Sequence, residues 1–143
     1  MMTKKDTELH EMTNAEFLEK SNRMDPQELH NMLGALVSNC PALEKVCETW
    51  GEQHMLTIAM EENAELIQAI SKIKRNGWDP INASHLDEET ADVMICICEL
   101  FVMDYLDVYE ISKIIDRKIE RSMQRAQDHI KELEEEAKYN GSF

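Results

Sequence analysis

Residues that interrupt helices are scarce in this chain, and this scarcity limits the available folds more than any other feature. Only four glycines and three prolines occur among 143 residues. Alanine, leucine, glutamate, lysine, methionine and isoleucine dominate instead, and most of these residue types have high helix propensity. A chain of this length suits one domain with a substantial core. The sequence therefore predicts a single all-α domain.

A capping pattern marks the start of the first predicted helix. In "DPQE", Asp25 is a suitable N-cap, proline occupies the first helical position and Glu28 has the capping-box spacing. This helix is expected to end before Pro41. A second helical pattern runs from Pro41 to about Arg75, and Gly51 is the point at which it is expected to bend or break.

Two further capping-box spacings predict the later helices. The segment 76–84, "NGWDPINAS", is expected to form the one long loop. The spacing that begins at Ser84 predicts a helix through about Met103, and the spacing that begins at Asp107 predicts a last helix to about Lys138. Short connections between these helices favour antiparallel neighbours. We therefore expect an antiparallel bundle of four to five helices.

The ends of the chain are weakly patterned. Residues 1–24 are polar and are expected to form an N-terminal arm, either mobile or part of a dimer contact. Residues 25–138 form the predicted helical domain, and residues 139–143 a C-terminal tail. The segment 131–140, "KELEEEAKYN", is too polar for a core, and we interpret it as a solvated helix end rather than an oligomer contact.

The charge of the chain excludes some partners. The formal net charge is −14 at pH 7, whereas binding to a nucleic-acid polymer relies on basic residues that displace counterions. We therefore expect no nucleic-acid polymer as a partner. A small phosphate ligand would need divalent cations or a local basic patch to offset the repulsion.

The cysteines indicate a reducing compartment. Four are present, Cys40, Cys47, Cys96 and Cys98, and none belongs to a CxxC pair or follows a secretory signal. We interpret them as reduced thiols of a cytoplasmic protein, with Cys96 and Cys98 in the core. The apolar run around these two is too short, and too closely flanked by acids, to span a membrane.

Acidic residues border the predicted core on two helices. Glu62 and Glu65 share one helical face, and on the next long helix Glu89 and Asp92 do the same, together with Glu88. Acids crowded at a partly buried edge need a counter-ion, or some of them must take up protons. A divalent metal and a solvated or salt-bridged edge both satisfy the spacing.

Magnesium is the metal that suits these acids best. Mg²⁺ prefers oxygen ligands and keeps several waters, so four carboxylates on two helices can hold one or two ions beside substrate phosphates. Mn²⁺ is a possible substitute. Iron is disfavoured, because no histidine follows any of these acids by three residues, as it does in di-iron bundles.

The two acidic motifs resemble a known family. "EENAE" (61–65) followed by "EETAD" (88–92) is similar to the ExxE…ExxD signature of the all-α nucleoside triphosphate pyrophosphohydrolases, the MazG-like group. The resemblance extends over roughly residues 50–127 and includes the basic "DRKIERSMQR". It is similar in form to the single-domain enzymes often found in phages and bacteria.

The resemblance implies roles for the acids and a reaction. Glu62, Glu65, Glu89 and Asp92 are expected to ligate Mg²⁺. The reaction would cleave a nucleoside or deoxynucleoside triphosphate between the α- and β-phosphates, giving the monophosphate and pyrophosphate. The proton acceptor would be one of Glu61, Glu62 and Glu65, and Glu88 would be an accessory acid.

Basic and aromatic residues are candidates for substrate binding. Lys118, Arg121 and Arg125 share a face of the last helix, where they would contact the outer phosphates; pairing with neighbouring acids is the ordinary alternative. Many relatives have an asparagine where this chain has Glu120 or Arg121. Trp78 would stack on a base or cap the bundle. Trp50, the other tryptophan, is expected in the core.

Three functional hypotheses remain open at this point. The first is the Mg²⁺-dependent triphosphate pyrophosphohydrolase, assembled as a homodimer or a dimer of dimers, as the resemblance implies. The second is a hydrolase of a related pyrophosphate-containing signalling nucleotide. The third is a helical binding module without catalytic activity, in which the acids are structural.

Overall fold

The structure, a computed structural model, describes residues 25–140. This part of the chain is helical throughout, apart from short connections, and contains no strand, so the all-α prediction is confirmed. None of its helices combines the length and apolarity needed to cross a lipid bilayer. The helices are α1 (Pro26–Ser38), α2 (Cys40–Trp50), α3 (Glu52–Asn76), α4 (Pro80–Val102) and α5 (Val108–Asn140). The N-terminal arm and most of the predicted tail lie outside the described residues.

Two starts predicted from capping patterns are confirmed. The Asp25 side chain accepts a hydrogen bond of 2.8 Å from the Gln27 backbone N–H at the start of α1. Asp107 accepts one of 3.0 Å from the Glu110 backbone N–H at the start of α5. The weak point at Gly51 is a break between helices, since its φ of +83° cannot continue an α-helix.

The predicted long loop is wrong. Helix α4 begins at Pro80, four residues before the expected Ser84, because the Asp79 side chain accepts hydrogen bonds of 2.9 Å from the backbone N–H groups of Ile81 and Asn82. Aspartate followed by proline is itself a strong helix start. The connection between α3 and α4 is therefore only three residues long, and Gly77 ends α3 with a φ of +83°.

Helices α3 and α4 form the centre of the fold. They pack along each other more extensively than any other pair, α2 packs against both, and α1 contacts α2 and α4. Small and flexible side chains fill the interface, which lets the helix backbones approach closely. The buried apolar residues are Cys47 of α2, Met55, Ala59 and Ala69 of α3, and Val93, Cys96 and Cys98 of α4. The predicted burial of Cys96 and Cys98 is confirmed.

The last helix differs from the other four. Helix α5 is 33 residues long, and within residues 25–140 it packs extensively against no other helix. A helix of this length extends about 50 Å. The described residues thus form a packed group of four helices with a fifth that projects from it.

The prediction that Trp50 lies in the core is wrong. Its side chain is 63% exposed at the end of α2 and stacks on His54 with 5.1 Å between ring centroids. The reason is the break at Gly51: the chain changes direction directly after Trp50, so the residue lies at a helix end rather than within one long helix.

Candidate metal centre

The acids of α3 and α4 face one another across an antiparallel pair. Among charged groups, Asp92 has the largest effect on the pKa of Glu62, and Glu65 has the largest effect on that of Glu89, one turn further along. The partner of Glu65 on α4 thus precedes the partner of Glu62 by three residues, as expected for antiparallel helices. The three-residue loop imposes this register, because it leaves the two helices no room to slide past each other.

Three carboxylates of this pair converge. Glu62, Glu89 and Asp92 each offer one oxygen, and these three oxygens all lie within 4.8 Å of one another. Each side chain is half-buried. Oxygens on opposite sides of a Mg²⁺ ion are about 4.2 Å apart. Small side-chain rotations are therefore enough to place the three oxygens, which we call the acid triad, around one ion.

Burial and repulsion together raise the pKa of two members of the acid triad, Glu62 and Glu89. Burial, and then the negative charges of Asp92, Glu65 and Glu89, raise the pKa of Glu62 above its ordinary value of 4.5. Burial also raises the pKa of Glu89, followed by the negative charges of Glu65 and Glu88. The cluster therefore holds more negative charge than its surroundings offset.

No basic side chain balances this charge in the part of the chain that the structure describes. The salt bridges found among residues 25–140 join Lys113 to Glu110 and His129 to Glu132, both on α5. Every charged group that affects Glu62 is an acid. Among residues 25–140, the cluster is therefore compatible with a solvated edge, and no salt bridge to it is found. The donor set of carboxylate oxygens fits a hard divalent cation.

Three predicted acids lie beside the acid triad rather than in it. Glu65 was expected to ligate metal; its side chain is exposed and contacts Glu89, one helical turn from Glu62. Glu61 is also exposed, and its charge is the weakest of those that raise the pKa of Glu62. Glu88 is exposed and acts on Glu89 in the same way. These positions suit accessory acids or proton acceptors.

A buried acid, Glu99, was missed by the sequence analysis. It is only 5% exposed, and burial raises the pKa of its carboxyl group. Its neighbour Cys96 has a thiol whose pKa burial raises to about 11, helped by the charges of Glu99, Glu62 and Asp92. Glu99 follows Asp92 by two helical turns, so both lie on one face of α4. The sequence signal that could have identified Glu99 is an acid within the apolar run "ICICEL", seven residues after Asp92.

The structure does not bring the predicted substrate-binding residues to the acid triad. Lys118, Arg121 and Arg125 are exposed on α5, and none of them is among the groups that shift the pKa of Glu62 or Glu89. Trp78 is 65% exposed in the loop between α3 and α4. That loop is about 15–23 Å from the triad, judged from the helix rise.

Comparison with known proteins adds no assignment. No family model matches the sequence, and no curated protein or solved structure matches the chain significantly. The functional interpretation therefore rests on the two acidic motifs and on the geometry of the acid triad.

Proposed function

We propose that this protein is a Mg²⁺-dependent nucleotide pyrophosphohydrolase. It would hydrolyse nucleoside or deoxynucleoside triphosphates to the monophosphate and pyrophosphate. The observation that carries the proposal is the convergence of Glu62, Glu89 and Asp92, with one oxygen of each within 4.8 Å of the others. Mn²⁺ is the expected substitute for Mg²⁺. The reducing setting inferred from the free cysteines suits a cytoplasmic enzyme.

The acid triad would hold the cation, and the acids around it would handle protons. Bound Mg²⁺ would neutralise phosphate charge and lower the pKa of a water molecule. The water oxygen forms a bond to the α-phosphorus while the bond from that phosphorus to the bridging oxygen breaks, and pyrophosphate leaves. The proton of the water passes to a carboxylate, for which Glu61, Glu62 and Glu65 are the candidates. Glu65 is favoured because it is adjacent to the triad and exposed.

Assembly is part of the proposal. Helix α5 does not pack extensively against α3 or α4. Its basic residues Lys118, Arg121 and Arg125 are therefore not held beside the acid triad of the same copy. A homodimer or a dimer of dimers, as the resemblance implies, would allow the basic residues of one copy to reach the phosphates bound by another. These residues would then offset the charge on leaving pyrophosphate.

Metal binding is tested separately from turnover. Addition of Mg²⁺ or Mn²⁺ to metal-free protein should raise its melting temperature, since a ligand that binds only the folded state stabilises it. Glu62→Gln and Asp92→Asn should abolish this rise. Glu135→Gln removes one exposed acid from α5 and should leave it intact. Absence of any rise in the wild-type protein would contradict the metal site.

Turnover is tested with a panel of nucleotides. Purified protein is incubated with Mg²⁺ and with ribonucleoside and deoxyribonucleoside triphosphates, and the products are separated. Equal amounts of monophosphate and pyrophosphate support the proposal. Release of single phosphate would show that a different phosphate bond is cleaved. Turnover only of a pyrophosphate-bearing signalling nucleotide favours the second hypothesis, and no turnover with no metal response favours the binding module.

A further inference from the structure

Helix α5 has a continuous apolar stripe. The apolar residues recur at intervals of three or four, which places them along one side of the helix. We call this surface the α5 stripe, and its members are Val108, Ile111, Ile115, Ile119, Met123, Ala126, Ile130, Leu133 and Ala137. The stripe passes through the distal segment that the sequence analysis interpreted as a solvated end.

From Ile115 onward, the large side chains of the α5 stripe are open to solvent in the described part of the chain. Their exposed fractions lie between 43% for Leu133 and 60% for Met123. Nearer the start of the helix, Val108 is 64% exposed and Ile111 is half-buried. From Ile115 to Ala137 the stripe extends about 33 Å. The rest of the described chain does not pack against it extensively. An apolar surface of this length needs a partner, because a chain with few buried apolar residues gains most from covering it.

The charges of α5 indicate what that partner is. The N-terminal half, residues 108–125, has five lysines and arginines against three acids, whereas residues 126–140 have five acids against two lysines. Two copies of α5 that run in the same direction would place like charge beside like charge. Two copies that run in opposite directions place each basic half beside an acidic half.

The α5 stripe is also nearly symmetric about Ala126. Ile119 precedes this residue by seven positions, and Leu133 follows it by seven. Met123 and Ile130 lie three before and four after it. A twofold axis through Ala126 would therefore place Ile119 of one copy opposite Leu133 of the other. The small side chain of alanine at the axis lets the two helices approach closely.

We propose that the α5 stripe pairs with the same stripe of a second copy, in antiparallel orientation and centred on Ala126. The occupant is another molecule of this chain, and the contact is self-complementary in both shape and charge. This inference does not rest on the proposed hydrolase activity, because it follows from α5 alone.

Two matched double variants test the contact. In Ile119→Gln/Leu133→Gln the stripe loses two large apolar side chains, while glutamine retains high helix propensity. In Arg117→Gln/Asp128→Gln the same number of changes falls on the opposite face of α5 and leaves the net charge unaltered. In sedimentation experiments on the full chain, the wild-type protein and the control variant should both be dimers. The stripe variant should be monomeric, or have a dimer dissociation constant at least about 100-fold higher, as loss of two buried side chains requires.

Disulfide trapping tests the orientation. The antiparallel contact places residue 115 of one copy opposite residue 137 of the other. Ile115→Cys/Ala137→Cys should therefore form a cross-linked dimer under oxidising conditions, and each single variant should not. The wild-type chain under the same conditions controls for cross-links through the four native cysteines, three of which are buried.

Several results would overturn the proposal. A cross-link in Ile115→Cys alone indicates a parallel pair. A stripe variant that remains dimeric moves the contact to another surface. A monomeric wild-type protein whose melting temperature falls in the stripe variant shows that the chain covers its own stripe, for example with residues 1–24.

Discussion

A carboxylate oxygen of Glu62 on α3 lies within 4.8 Å of one from Asp92 on α4. The negative charge of Asp92 is, after burial, the largest cause of the raised pKa of Glu62. The packing of α3 on α4 thus holds two like charges together without a basic residue from the described part of the chain between them. This arrangement costs stability in the absence of a cation and provides affinity in its presence.

Asp92→Asn should separate these two effects. In chelator, the variant should melt at a higher temperature than the wild-type protein, because one of the repelling charges is removed. In Mg²⁺, it should lose the metal-dependent rise, and its apparent affinity for Mg²⁺ should fall at least about 10-fold, since even outer ligands have effects of this size. Differential scanning fluorimetry measures both. An apo variant no more stable than wild type would show that the charges are not in conflict.

The pH dependence of stability follows from the direction of the pKa shifts. The pKa of Glu62 and Glu89 is raised in the folded state above 4.5. The folded state therefore binds protons more tightly than the unfolded state, and these groups reduce stability as the pH rises above 4.5. In chelator, Glu62→Gln should be more stable than wild type at pH 7–8, and this advantage should vanish as the pH falls towards 4.5. Glu135→Gln controls for the loss of one charge. An advantage that grows towards acid pH would contradict this assignment.

Local patterns accounted for much of the fold. The caps at Asp25 and Asp107 were predictable because a capping hydrogen bond depends on residues within one turn. The start of α4 was misplaced because two overlapping signals compete there, and the Asp79 cap followed by proline prevails over Ser84. Which of these signals is used depends on how much of α4 can pack on α3, and a local pattern does not contain that information.

The site was predictable in composition but not in detail. Helical spacing correctly placed Glu62, Glu89 and Asp92 beside the core, because the interval between residues decides which face they share. It did not separate Glu65 from the other three, since that difference depends on the register of α3 against α4. The position of α5 could not be predicted either, because the stripe on this helix contacts little of the described chain.

Alanine should have opposite effects on stability at Gly77 and at Gly34. Gly77 has a φ of +83°, which L-residues rarely adopt. Gly77→Ala should lower the free energy of unfolding by about 1–3 kcal/mol. Gly34→Ala, in the middle of α1 with open space around its Cα, should raise it by about 0.4–1 kcal/mol. Urea denaturation compares the two, and equal effects would argue against a positive φ at Gly77.

The four cysteines should differ in reactivity. Cys47, Cys96 and Cys98 are buried, and burial is the largest cause that raises the pKa of each thiol, to about 11 for Cys96. Cys40 is only half-buried. Since the thiolate is the reactive form, a thiol reagent at pH 8 should modify one cysteine rapidly and three only after unfolding. Cys40→Ser should remove the rapid phase, and a rapid phase that persists would place the reactive thiol elsewhere.

The basic residues of α5 should affect catalysis without affecting metal binding. Lys118 and Arg121 are exposed and lie on a helix that does not pack extensively against the acid triad. If they contact the outer phosphates, Lys118→Ala/Arg121→Ala should reduce kcat/KM by about 10- to 1000-fold, the range expected for loss of charge stabilisation at a leaving group. The Mg²⁺-dependent rise in melting temperature should persist, because the ligands are untouched. Lys113→Ala is the matched control, since Lys113 already pairs with Glu110 at 2.9 Å.

Sedimentation of each variant separates a direct loss of phosphate contact from loss of the α5 pair. A variant that remains dimeric and fully active would exclude Lys118 and Arg121 from substrate binding.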